Sequence, residues 1–82
     1  MTHQIFAQLP FKNQCMLLRD LAVLVADRND HIFNYYLFQL DSFYIEIRVT
    51  RAGNVLEELV SFSDVKFIER YLDPINIYQL IN

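Results

Sequence analysis

From Phe43 to Arg51 the chain alternates without a break: Phe43, Ile45, Ile47 and Val49 share one parity, and Tyr44, Glu46, Arg48 and Thr50 share the other. Successive side chains of a strand point to opposite faces, so a strand buries one set and wets the other. A helix would scatter the same residues around its circumference. Just upstream, Ile32 to Leu40 is rich in aromatic and branched residues, and Asp41-Ser42 separates the two runs as a tight hairpin turn. A two-residue turn carries the parity across, which places Tyr36, Phe38 and Leu40 on the core face and Tyr35, Leu37 and Gln39 on the outer face.

The third run, Val55 to Phe62, has apolar spacing that also fits a helix. Gly53-Asn54 decides for a strand, reached through a two-residue turn. That register sends Leu56, Val60 and Phe62 to the core face, and Val55, Glu57 and Leu59 to the outer one. Glu58 is then directed toward the core, and a bulge near Glu57-Glu58 returns it to water. Upstream, Pro10 to about Arg28 reads as a helix, with Phe11, Gln14/Cys15, Leu18, Leu21/Ala22 and Val25 at three- and four-residue steps. Downstream, Ser63 is a helix N-cap, Phe67, Ile68, Tyr71 and Leu72 form a stripe, and Pro74 stops the helix near Leu72-Asp73. The expected fold is α+β: helix, three-stranded antiparallel meander, helix and apolar C-terminal tail, in one domain over 1–82.

At 82 residues the chain is near the lower size for folding unaided. Cys15 is its only cysteine, which excludes an internal disulfide, and Cys15, His3 and His31 have no zinc-ligand spacing to one another. Of the usual supports for a small domain, oligomerisation is the one left. A hydrophobic fraction of 54% argues against disorder. No apolar run reaches the ~20 residues of a membrane span. The N-terminus has no basic region leading into an apolar stretch, so a cytoplasmic location is expected. Net charge is −3, all of the excess lying after Arg51, and no basic stripe is present for nucleic acid.

Drawn this way, the fold has apolar surface to spare. The outer face carries Tyr35, Leu37, Tyr44 and Leu59, and the tail carries Ile77, Tyr78, Leu80 and Ile81. These eight residues are the expected interface of a homodimer, or of a contact with another protein; the edge strands offer a second route. No cofactor is expected.

The chemistry-bearing residues give no catalytic set. Cys15 lies in the apolar stripe of the first helix and reads as structural. His31 follows Asp30 in a loop, where neighbours seldom converge on one substrate. Glu57 and Glu58 point to opposite faces if they lie on a strand, so they cannot flank one site. Glu46 and Arg48 read as cross-strand contacts on the outer face. Tyr35 and Tyr44 could stack bases, but the acidic surroundings oppose that role. Leu9-Pro10, Tyr35-Tyr36-Leu37, Phe43-Tyr44-Ile45-Glu46 and Tyr71-Leu72-Asp73-Pro74-Ile75 resemble short proteins of Bacteroidetes-type bacteria. The resemblance implies a bacterial cytosolic protein and brings no activity, cofactor or site residue. Two readings follow: a non-enzymatic, self-associating interaction module, or a small-molecule binder or small enzyme whose pocket at a subunit interface uses Tyr35, Tyr44 and Arg48.

Overall fold

Two short helices lead into four consecutive antiparallel strands in the computed structural model, which describes residues 1–71. The first helix, α1, spans His3–Gln8, capped by Thr2, whose Oγ1 accepts from the Ile5 amide at 3.3 Å. The second, α2, spans Phe11–Leu21 and follows Pro10, whose carbonyl accepts from the Asn13 and Gln14 amides. The Gln14 side chain donates to the Phe6 carbonyl at 2.9 Å and ties the helices together. His3 belongs to α1, where Nδ1 lies 3.0 Å from Ser61 Oγ. Among the described residues, no helix is long and apolar enough to cross a membrane.

The expected single helix from Pro10 to Arg28 is divided. It ends at Leu21, and Val23–Asn29 forms a strand, β1, antiparallel to β2, Phe33–Leu40. With β3, Phe43–Thr50, and β4, Leu56–Phe62, the sheet has the order β1-β2-β3-β4, four strands rather than three. Val23-Leu24-Val25 prefers extended backbone, and β1 satisfies the free edge of β2. A register shift between Leu24 and Ala26 leaves Val25 unpaired and breaks the two-residue period that would announce the strand.

The β2–β3 hairpin has the expected register, with Tyr36, Phe38 and Leu40 opposite Ile47, Ile45 and Phe43 across the Asp41-Ser42 turn. Asp41 adopts a left-handed φ of 52°. Beyond β3 the chain departs from expectation. Residues 51–55 form a longer loop in place of the two-residue turn, with Asn54 at φ 53° and the Thr50 hydroxyl accepting from the Val55 amide at 3.0 Å. Arg48 pairs with Glu58 and Val49 with Leu56, so Glu57 is the extra residue of a bulge. The bulge reverses the parity beyond it. Leu59 joins Ile47 on the helix side, while Val60 and Phe62 move to the outer side opposite Glu46 and Tyr44. Glu58 also faces outward, opposite Arg48.

Both helices cover the same face. Phe6, Leu40, Phe43 and Ile45 form its buried centre, with Leu9, Leu17, Leu18, Phe38, Ile47 and Leu59 packed around it. The Phe6 and Phe43 rings lie 5.5 Å apart. The segment expected as an α-helix after Ser63 is a 3₁₀ helix, Val65–Tyr71, laid over the outer face. The Asp64 carboxylate accepts from the Lys66 amide at 2.9 Å, a role expected of Ser63. Two side chains hold it on that face: Phe67 packs on Phe62, 5.0 Å between centroids, and the Tyr71 hydroxyl donates to Glu46 at 2.7 Å. The expected helix end at Leu72-Asp73 and the apolar tail lie outside the described residues.

Candidate functional site

Of the expected interface residues, the four that lie within the described residues do not share one exposed patch. Leu37 is only 1% exposed, sealed inside its own chain, and has no area to give a partner. Leu59 lies on the helix side, carried there by the bulge, and packs against the core. Tyr44 is half-buried and stacks on Phe62 at 5.9 Å. Tyr35 lies beneath the Arg28 guanidinium, 3.7 Å from the ring centroid. Ile77, Tyr78, Leu80 and Ile81 lie outside the described residues.

Exposed apolar surface is concentrated elsewhere. It runs from the end of α2 into the edge strand β1, where Leu21, Val23, Leu24 and Val25 are 62, 63, 50 and 47% exposed. Met16 adds to it from α2, beside a groove of about 320 Å³ lined by Leu9, Leu17 and Leu21 among others. Residues 21–26 carry no charge, and among the described residues β1 has no strand on its outer side. The opposite edge, β4, is different. Its bulge and the carboxylates of Glu57 and Glu58 are devices that discourage strand addition. The sequence hid the β1 edge because its apolar residues continue the period of α2.

The outer face holds a second feature, a cleft of about 420 Å³. Its floor is Glu46, 8% exposed, opposite Leu37 and Val60 in the sheet. The Glu46 carboxylate accepts from the Tyr71 hydroxyl and lies 3.6 Å from Arg28 and 3.4 Å from Arg70. Burial, then the bond to Glu46, pushes the Tyr71 hydroxyl far above the usual phenol range. Arg48 meets Glu58 at 3.1 Å and Glu57 at 3.8 Å, so its partners lie across the sheet as expected, while Glu46 turns to other arginines. Aromatic rings back the guanidinium groups: Tyr35 under Arg28, Phe33 under Arg48 at 4.6 Å and Phe67 under Arg70 at 5.2 Å. Tyr35 and Arg48 both line the cleft, within a single chain.

The β1–β2 connection beside the cleft is organised by Asp30. Its carboxylate accepts from the Ile32 and Phe33 amides at 2.8 and 2.7 Å and from the Tyr35 hydroxyl at 2.9 Å. Those bonds, led by Phe33, hold its pKa below the usual carboxylate value. A depressed folded pKa stabilises the fold above the unfolded value, about 4. That contribution is lost as pH falls through the folded value. In urea titrations from neutral to strongly acidic pH, the wild-type midpoint should therefore fall more steeply than that of Asp30→Asn. Parallel curves would show that the carboxylate charge does not hold this turn. The Asp30 side chain is thus committed to backbone and Tyr35, and His31 is exposed beside it. Cys15 is half-buried in α2 rather than enclosed.

Among the described residues, no group of three or more metal-ligating side chains converges. No protein-family model matches the chain, and no curated protein or solved structure matches it.

Proposed function

We propose that the chain is a non-enzymatic interaction module that pairs with a second copy of itself along β1. The supporting observation is the uncharged run Leu21–Ala26, in which Leu21, Val23, Leu24 and Val25 are exposed, on a sheet edge that is unpaired among the described residues. An edge strand presents unpaired amide and carbonyl groups, and a second antiparallel β1 satisfies them by forming a continuous sheet. A two-fold axis makes the contact self-complementary, so a single sequence serves both sides. The flanking apolar residues of α2, Met16 and Leu21, would then lose solvent contact with the strand, a gain of roughly 25 cal/mol per Å² of apolar area. Small size adds weight, since a domain of 82 residues has a limited core of its own.

Light scattering across a concentration series tests this reading. The wild-type chain should approach twice its 9.8 kDa mass as concentration rises. The double variant Val23→Lys, Val25→Lys should stay at the monomer mass at the same concentrations, because charge on an edge opposes strand addition. Both positions are exposed in the single chain, so at concentrations low enough for the wild type to be monomeric the variant should keep almost the same unfolding midpoint. A wild type that is monomeric throughout, or a dimer indifferent to both lysines, would overturn pairing along β1.

A further inference from the structure

We propose that residues 75–82 dock on β1 as a fifth, antiparallel strand of their own chain, and that this segment competes with a second copy for the edge. The competition rests on the pairing along β1 proposed above; the docking does not.

Where the described chain ends is the first support. The 3₁₀ helix crosses the outer face from β4 to β1: Phe67 packs on Phe62, and at the far end the Tyr71 ring lies 5.3 Å from the Arg28 guanidinium. The chain therefore leaves Tyr71 beside the open edge, at the end of β1 that carries Arg28. A strand laid along β1 from that point runs toward Val23, antiparallel to it. Such a strand is also parallel to β4, since β1 and β3 run one way and β2 and β4 the other. Leu40 and Phe43, on the helix side, close their two-residue turn as a hydrogen-bonded pair, so the outer-facing residues of β3 bond to β4. Seen from the outer face with β4 pointing up, β1 then lies to the right. The crossover is right-handed, the hand that parallel connections take.

Length and chemistry agree with the path. Residues 75–82 span about 26 Å when extended, against about 23 Å for the seven residues of β1. After Asp73 no side chain is charged, and Ile75, Ile77, Tyr78 and Ile81 favour extended backbone. Pro74 is tolerated at the start of an edge strand. The receiving edge matches: Val23, Leu24 and Val25 are exposed and uncharged. The Asp30 amide donates to the Phe33 carbonyl, so Arg28 and Ala26 bond toward β2 while Asp27 and Asn29 turn their backbone groups outward.

One row of outward amides and carbonyls serves one strand at a time. Residues 72–74 are a short tether, which gives the segment an effective concentration on the order of millimolar at the edge. A second copy displaces it only as total concentration rises.

Amide hydrogen exchange of the full chain, at a concentration where light scattering gives the mass of one chain, tests the docking. Asp27 and Asn29 amides should exchange at least about tenfold faster in the double variant Ile77→Pro, Tyr78→Pro than in the wild type, because one of two adjacent prolines removes an amide facing β1 in either register. Protection in β2 and β3 should stay the same, which separates loss of the segment from unfolding of the sheet. In the wild type, nuclear Overhauser contacts should link 75–82 to β1, a result that needs no variant. At higher concentration the variant should pair at an at least roughly fivefold lower concentration than the wild type, because its edges are free from the start. Equal exchange at Asp27 and Asn29, or no such contacts in the wild type, would overturn the docking. A variant that pairs no more readily than a pairing wild type would overturn the competition. If neither chain pairs at any concentration while the exchange difference holds, pairing along β1 fails and the docking stands.

Discussion

Phe6→Ala is expected to destabilise the fold by about 3–5 kcal/mol, enough to unfold much of a small domain near room temperature. Phe6 has no exposed surface and is the only residue of either helix that is fully buried. Among the described residues every other buried apolar side chain, Leu37, Leu40, Phe43, Ile45 and Phe62, belongs to the sheet. The helical layer is therefore anchored on the sheet chiefly through one ring packed against Phe43. Removing that ring leaves a cavity bordered by Phe43, Leu40 and Ile45, and the lost transfer energy and the cavity act together. Urea unfolding followed by circular dichroism measures the loss. Ile5→Ala is the control, because Ile5 sits one position away at 54% exposure and should change stability by no more than about 0.5 kcal/mol. A smaller urea slope in Phe6→Ala would mean that the helices have already detached before the sheet unfolds. A loss below about 1 kcal/mol, with an unchanged slope, would show that the anchor lies elsewhere.

The sheet centre was legible because two simple signals agreed there. The alternation of Phe43 to Thr50 and the Asp41-Ser42 turn require the same register, and the β2–β3 pairing has it. β1 was not legible, for a definite reason. Leu18, Leu21/Ala22 and Val25 keep a helical step across the true end of α2, and the unpaired Val25 breaks the alternation that would have marked a strand. The fourth strand and the open edge were lost together. At β4 the bulge was foreseen near Glu57-Glu58, but its consequence was not carried through. One extra residue exchanges faces for everything beyond it, so Leu59 left the outer face and Val60 and Phe62 entered it.

That exchange is also why the cleft was only partly visible in the sequence. Tyr35, Glu46 and Arg48 were recognised as outer-face residues from the β2–β3 parity. Arg28 lay in a supposed helix, and Arg70 and Phe67 in another, so nothing in the linear order brought Arg28 and Arg70 to one carboxylate. Only the position of β1 beside β2 and the fold-back of the 3₁₀ segment assemble them.

Glu46 holds that fold-back in place, and Glu46→Ala should cost about 3 kcal/mol, the low end for breaking a buried ion pair. The low end applies because Arg28 and Arg70 keep 28 and 50% of their side-chain exposure and water screens them in part. What remains is the Tyr71 hydroxyl, half-buried, whose acceptor at 2.7 Å has gone. Tyr71→Phe alone should cost about 1.5–3 kcal/mol, the usual worth of a hydrogen bond to a charged group. Because both changes remove the same contact, the double variant should cost clearly less than the two added together, and the cycle measures their coupling. Glu46→Gln should fall between wild type and Glu46→Ala, since an amide oxygen still accepts from Tyr71 but does not attract the arginines. Amide hydrogen exchange separates a local from a global effect. Protection should fall first at residues 65–71 and last in β2 and β3, because the 3₁₀ segment reaches the sheet through Glu46 and the Phe62–Phe67 contact. Additive losses in the cycle, or unchanged protection at 65–71 in Glu46→Ala, would assign the segment's position to the aromatic contact alone. The same measurement bears on the cleft, whose lining includes Phe67 and Arg70: a carboxylate that positions the 3₁₀ segment also sets how far these two side chains stand from Arg28 and Arg48.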